Sequence, residues 1–565
     1  MPSQRLLLWA ALALVFWLNY QAWQQDYAPR PATAQPHQSG ETASTPAAPA
    51  PQALDQSVPG LPTPASDAAT PATAETPAAP VSVPATAGDI HVLTDVLDLH
   101  IDVQGGELKR ADLLAYPKDK RNPDVLVRLF NDDPVHPFLF QSGLTSGTPG
   151  AQPDHLATFD SAAGEYRLAE GADEIKVPLI WTNRQGVTVT KTYTFTRGRY
   201  AVKIDYDIDN KGATDWKAAS YLQFMRQQPK VERSMFDVES YAFMGPAIYD
   251  GTSYKKLDLE DEEDLALSAS IKDGWFAAMQ HHFVAAAVPA AGQDYQYRLK
   301  AENGQYLLGA VGPSQVVPAG ERRTLTETVF VGPKLQEQLE TTGPRLDLVA
   351  DYGWLTILSK PLFLVLKWVH GLVGNWGWAI VLVTALIKLL FYPLSEASGR
   401  SMAKMRALAP RIKNIQERYK DDREQLGRSM MELYKREKIN PLAGCLPILI
   451  QIPVFLAFYW VLLESVEMRQ APFMLWIDDL STRDPWFILP LLMGAAMFGQ
   501  YKLNPAPPDP IQAKVFMFMP IIMTVMFAWF PSGLVLYWLT NTVLSIAQQW
   551  RINKVVERQA KKAAS

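Results

Sequence analysis

The chain has 565 residues, 48% hydrophobic and 20% charged, too many for one ordinary domain. Its formal net charge of −5 hides a division: residues 24–350 hold 43 acidic and 28 basic side chains, 396–443 hold 12 basic and 7 acidic, and 551–565 hold 5 basic and 1 acidic. A single cysteine, Cys445, excludes an intrachain disulfide and a paired-cysteine zinc site. No Walker A or other glycine-rich phosphate loop occurs, and the basic clusters lack a nucleic-acid recognition motif.

Arg5 precedes an uncharged run at 6–22 that looks like a signal peptide. Bulky Trp17, Leu18 and Tyr20 stand where a small-x-small cleavage site would lie, so 1–26 is expected to be an uncleaved anchor with a cytoplasmic N-terminus. Residues 27–88 follow as a linker, with 13 prolines among Ala, Thr and Ser between 28 and 88, a composition for an extended, disordered tether.

From 89 to 345 the pattern is strand-like. Residues 97–103 alternate strictly, as do 187–195 and 200–208 on either side of Arg197-Gly198-Arg199, which predicts a hairpin. The region reads as a large antiparallel β-sandwich. Its acidic run 258–265 reads as a solvated face, and His281-His282 would alternate faces on a strand and so fail to share one metal. No nucleophile and base can be paired within it.

Residues 346–375 contain Pro361, Lys360, Lys367 and His370 between Trp354 and Trp368, and are expected to lie as an amphipathic helix in the outer interface. Five further apolar runs complete six expected spans: 376–392, 444–463, 485–501, about 512–530 and about 534–550. The last two come from one uncharged stretch, 515–550, broken by Pro531-Ser532-Gly533 and expected to form a hairpin of two short helices. With the N-terminus inside, 24–350 falls outside while 396–443, 503–511 and the basic tail 551–565 fall inside, following the positive-inside rule.

Within 376–392 the one charge is Lys388. A charge at membrane depth costs roughly 2.5–3.5 kcal/mol on insertion scales and marks a functional site; the plain alternative is a lysine snorkelling to the headgroups. Uncharged polar residues in neighbouring spans, Thr384, Gln451, Thr524, Asn541 and Thr542, could line a wet cavity with it. Residues 396–443 carry two helical apolar stripes around a turn at Lys420-Asp421-Asp422. They predict an antiparallel hairpin with a basic surface, either a spacer or a docking site for an acidic partner or lipid headgroups. Twelve of the 17 methionines lie between 402 and 526, which suits varied apolar partners or ordinary bundle packing.

The stretches MAKMRALAPRIKNIQERYKDD (402–422), KINPLAGCLPILIQIPVFLAFY (438–459), SVEMRQAPFMLWIDDLS (465–481) and WFPSGLVLYW (529–538) resemble the YidC membrane-protein insertase family, densely over about 350–550. The resemblance implies a polytopic α-helical membrane protein with five core helices at 376–550 and a periplasmic domain of supersandwich type. It implies a hydrophilic groove with one positive position, which aligns with Lys388 although a compared family member has arginine there. Lysine keeps the charge but not the bidentate fork. Thr384, Gln451 and Asn541 would be the polar lining. Ile452, Pro453, Phe455, Tyr537 and Trp538 would contact a substrate helix, and Lys404, Arg406, Arg411 and Lys413 would form the cytoplasmic docking surface. The implied partners are nascent integral membrane proteins, the Sec translocon, ribosome or targeting factors, and lipids, with no cofactor, no metal and no bond-making chemistry. Two other classes are a periplasmic carbohydrate enzyme on a membrane anchor, which would not need five more spans, and a secondary transporter or channel using Lys388 as an anion or coupling site. The lack of internal repeats and of an intramembrane carboxylate partner weighs against the latter.

Overall fold

The computed structural model describes residues 57–60, 88–147, 152–229, 242–419, 422–437, 446–503 and 510–564. The expected anchor at 6–22, most of the linker and Cys445 lie outside these residues.

Alternation builds the sandwich. In Val187–Thr196 the residues Val187, Val189, Lys191, Tyr193 and Phe195 share one face and are buried. That strand pairs antiparallel with Ala201–Asn210, Val202 opposite Phe195, as the expected hairpin. Gly198 in the turn takes a φ of 69°, open to glycine at little cost. Leu97–Ile101 likewise turns Leu97, Leu99 and Ile101 inward.

Among the described residues, twenty strands divide into sheets of eleven and nine. Apolar side chains fill the space between them, with Phe224 of one sheet edge-on to Phe276 of the other at 5.4 Å. Pairing is antiparallel except where Ile90–Leu93 runs parallel to Glu165–Arg167.

Two details differ from expectation. The acidic run is not wholly solvated: Glu262–Leu265 forms one helical turn capped by Asp261, and buried Asp264 pairs with Lys255 at 2.5 Å. His281 and His282 do not sit on opposite faces of a strand. They occupy a bend before Phe283–Val288, stack with ring centroids 3.8 Å apart, and both meet the Leu463 carbonyl.

The C-terminal half is helical: α1 (Thr356–Val373), α2 (Trp376–Leu390), α3 (Tyr392–Ala407), α4 (Ala409–Arg418), α5 (Arg423–Arg436), α6 (Leu446–Glu464), α7 (Ile488–Leu503), α8 (Pro510–Phe527) and α9 (Ser532–Ala564). Among the described residues, α1 is the one unbroken helix long and apolar enough by itself to cross a membrane. Its basic residues are accounted for from the sandwich side: Lys360 pairs with Glu340 and Asp347, and Lys367 with Glu337. Leu362, Phe363, Leu366 and Val369 turn inward, while Ile357, Leu364, Trp368 and Leu372 remain exposed.

The 15-residue α2 spans only ~22 Å. It begins at Asn375, whose side chain caps the Trp378 amide, and bends by 63° into α3. Among the described residues, the spans expected within 376–550 are not all long straight helices, so the six-span count is not confirmed. The 515–550 stretch also departs from expectation, because α9 is not short. It runs 33 residues, carrying the basic tail as its own continuation. The Pro-Ser-Gly turn is present and pinned: Ser532 and Gly533 amides donate to Thr482 and Leu480 carbonyls at 2.7 and 2.9 Å.

The predicted hairpin is α4 against α5, with Asp422 capping α5 through the Glu424 and Gln425 amides. Leu408 and Ile412 pack against Met430, Leu433 and Tyr434. A break at Leu408, just before Pro410, separates α4 from α3.

Candidate functional site

In the core, α9 packs against α2, α3, α6 and α7, while α6 packs on α1. Between α2 and α3 on one side and α6 and α9 on the other lies a cavity open to solvent. Its lining brings together Thr384, Lys388, Gln451 and Asn541, all four residues expected as groove charge and groove polar groups. Ile387, Phe391, Leu394, Ile450 and Val454 supply apolar walls, and Ser395 and Tyr537 add hydroxyls.

Lys388 is half-buried and its Nζ donates to the Ser545 hydroxyl on α9 at 2.8 Å. The Ser545 hydroxyl in turn donates a hydrogen bond to the Asn541 carbonyl at 2.7 Å, one helical turn back. The lysine is therefore held toward α9. Thr384 is buried and its hydroxyl is committed to the Ile380 carbonyl at 2.6 Å, so it shapes the wall more than it offers a donor. Ser545 is the residue that sequence reasoning missed. Its only sequence signal is position, one turn after Asn541 on the same helix face.

The expected substrate-helix contacts divide. Phe455, Tyr537 and Trp538 form an aromatic cluster: Phe455 lies edge-on to Trp538 at 4.7 Å, and Tyr537 stacks on Phe458 at 4.3 Å. Pro453 is half-buried within α6, and Ile452 points outward, 48% exposed. Among the docking residues, Lys404 is exposed on α3 and Arg406 lies on the same helix. Arg411 pairs with Glu437 at 2.9 Å and Lys413 with Glu417 at 3.9 Å, so part of that basic surface is neutralised within the hairpin.

The sandwich sits on the core through polar contacts. Lys120 donates to the Asp478 carbonyl at 2.6 Å, Arg469 to the Pro117 and Lys118 carbonyls, and the Gln336 amide to the Tyr352 hydroxyl. Lys256 pairs with Asp351 at 2.9 Å. Asp484, wholly buried below this contact, accepts from Trp476, Trp486 and Leu489 and so fixes the start of α7. Among the described residues, one group, His91, Asp98 and His100, gathers three metal-capable side chains, and it lies on the sandwich, apart from the cavity.

A helical core holding an open cavity of mixed polar and apolar lining with one lysine, beneath a large β-sandwich, is the arrangement of a membrane-embedded groove protein. The comparisons carry this further. The model of the 60Kd inner membrane protein family matches residues 368–560, and that of the YidC periplasmic domain matches 89–365. A membrane protein insertase YidC of Thioalkalivibrio sulfidiphilus is 46% identical over the whole of both chains, and one of Methylococcus capsulatus is 48% identical over 84% of this chain and 87% of its own. A crystal structure of an active YidC insertase aligns over 83% of this chain and 93% of that one, at 20% identity and a TM-score of 0.37. The chain belongs to the YidC membrane protein insertase family.

Proposed function

We infer that the protein is a membrane protein insertase and chaperone of the bacterial inner membrane, without nucleotide hydrolysis. The observation that carries this reading is the meeting of Lys388, Gln451 and Asn541 around one cavity whose remaining walls are largely apolar. A polar chamber among apolar helices can replace part of the hydration of a short hydrophilic client segment while its apolar helix stays against lipid.

In this reading the anchor 1–26 and the helices of 376–550 make six passes, bent or short where the apolar runs are short. The linker 27–88 and the sandwich 89–345 stand in the periplasm, α1 lies at its interface, and both termini are cytoplasmic. A nascent client meets the basic hairpin at Lys404, Arg406, Arg411 and Lys413, where ribosome, targeting factors or anionic lipid would also dock. Its acidic outer segment enters the cavity toward Lys388, and its helix slides past Ile452, Pro453, Phe455, Tyr537 and Trp538. Partition of that helix into lipid contributes roughly −0.3 to −0.6 kcal/mol per Leu-like residue. The membrane potential adds ~2.3 kcal/mol per charge per 100 mV for an acidic segment moving outward. Some clients would arrive through the Sec translocon.

The test is depletion in cells, scored for insertion of a small two-span protein and, in parallel, for solute uptake. Lost insertion with uptake intact supports the reading; intact insertion with lost uptake replaces it with a transporter. Photo-crosslinking of a stalled nascent chain to positions 451 and 455 locates the path.

A further inference from the structure

The outer face of the eleven-stranded sheet, turned away from the sandwich core, carries a line of amides that the insertion cavity does not use. Gln141 and Gln223 stand opposite each other on neighbouring strands, Phe138–Thr145 and Trp216–Gln227. Their neighbours Phe140 and Phe224 point the other way, into the core. Gln141 donates to Glu107 at 2.9 Å and Gln223 donates to Gln141 at 2.7 Å. Beyond Gln223 the next cross-strand position is Gly309, where a Cβ would lie 2.7 Å from that of Gln223. The glycine leaves a notch between Gln223 and the strand that bears Lys300.

A piece of the linker lies there. The Gln223 side-chain amide also reaches the Ser57 carbonyl at 3.4 Å, and the Lys300 ammonium reaches the Ser57 hydroxyl at 3.3 Å. Ser57, Val58 and Pro59 are half-buried and Gly60 is exposed. Two surface glutamines on an open sheet would be wet, yet both are only 1% exposed. The chemistry suits an extended peptide: a side-chain amide reading a main-chain carbonyl, a lysine reading a hydroxyl, and Pro59 holding Val58 out of helical conformation.

We propose that this outer face is a peptide-binding groove occupied in cis by Ser57-Val58-Pro59-Gly60. The seated segment divides the linker. The tether to the N-terminal anchor then leaves the domain beside Lys300 rather than at Ile90, where the first strand begins, and the chain between anchor and domain is shortened to about half. Closing the intervening residues into a loop costs entropy that grows only slowly with length, so a few polar contacts and a half-buried Val-Pro pair can hold it.

The experiment uses the full chain in membranes, with Cys445→Ser, a protease site placed between residues 75 and 80, and the pair Ser57→Cys and Lys300→Cys. A short bismaleimide followed by proteolysis leaves the two fragments joined on a denaturing gel where the segment is seated. Two control pairs share the background: Thr73→Cys with Lys300→Cys, and Ser57→Cys with Lys176→Cys on the other sheet. The proposal expects the first pair to be bridged about tenfold faster than either control, through the higher effective concentration of a seated segment. Equal rates for all three pairs, or faster bridging from Thr73, would overturn it.

Discussion

Two lysines divide this molecule. Lys191 lies at the centre of the sandwich with no exposed surface, and its ammonium donates to the carbonyls of Gly105, Gly106 and Ser142 at 3.1, 3.0 and 2.8 Å. The rings of Phe159, Tyr193 and Tyr206 surround it within 5.9 Å. Lys388 lines an open cavity and makes one described hydrogen bond, to Ser545. An ammonium has three donors, so the first lysine is saturated by its own fold. The second keeps donors in hand among the described residues. A charge in the sandwich joins one sheet to the other, while the charge in the helical core faces an open chamber. Burial pulls Lys191 down to about 7, and Glu107 and Glu327 push back. That balance explains why its carbonyl cage has to be complete.

The largest effect should come from breaking the saturated site. Lys191→Met removes the donor from three buried carbonyls and is expected to cost roughly 3–5 kcal/mol of sandwich stability, read by urea unfolding of the full chain. A loss below ~1 kcal/mol would mean the carbonyls find other partners. Lys388 should behave oppositely. Lys388→Ala is expected to leave the unfolding midpoint nearly unchanged but to lower the insertion rate of a two-span client by about tenfold, the worth of one charge-assisted contact. Lys388→Arg should retain most of that rate. Equal rates for all three chains would reduce Lys388 to a snorkelling residue.

A smaller effect separates position from charge. Ser545→Ala frees the Lys388 ammonium from α9 without removing it, and a neutral hydrogen-bond partner is worth about 0.5–1.5 kcal/mol. Client insertion should fall by roughly two- to tenfold, at most the loss from Lys388→Ala, and the double variant with Lys388→Ala should be no worse than Lys388→Ala alone. Additive losses would show that Ser545 acts on something other than the lysine.

Much of this was legible before any coordinates, for reasons that differ by region. Strict alternation made the hairpin of Val187–Thr196 and Ala201–Asn210 readable, and the same parity puts Lys191 on the buried face with Val189 and Tyr193. The polar residues of the spans were readable because apolar helices make each exception conspicuous, and four of them meet at one cavity. Ser545 was not, since a serine that bonds its own helix is unremarkable in sequence. The length of α9 was missed because uncharged stretch and helix are different quantities: Arg551 and Lys554 end the first without ending the second. The histidine pair was misread because a bend, unlike a strand, lets adjacent side chains face one way.

That pair provides the gentlest test of how the two halves are joined. The Nε2 atoms of His281 and His282 lie 2.9 and 3.0 Å from the Leu463 carbonyl, one of the last carbonyls of α6 and so without a partner inside the helix. Two neutral imidazoles can each donate to one of its lone pairs. Burial, with Lys334 and Arg469 nearby, pulls His281 down to about 4 and His282 well below its ordinary value. An unfolded histidine titrates near 6.5, so between pH 6.5 and 4 the unfolded chain binds more protons than the folded one. The pair's contribution is therefore fully present above about pH 6.5 and lost as the pH falls toward 4. Glu467, pushed up to about 7 by burial, titrates in the opposite sense. It is common to both chains when the protein is compared with a His281→Gln, His282→Gln variant, so the difference isolates the imidazoles. The extra protection of the Phe283–Val288 amides over that variant, measured by hydrogen exchange, should shrink by on the order of 1 kcal/mol between pH 7 and 5. Protection that grows with acid would mean that the imidazoles bind the helix end as cations, drawn by its dipole, and that the joint tightens where neutral donors predict it loosens.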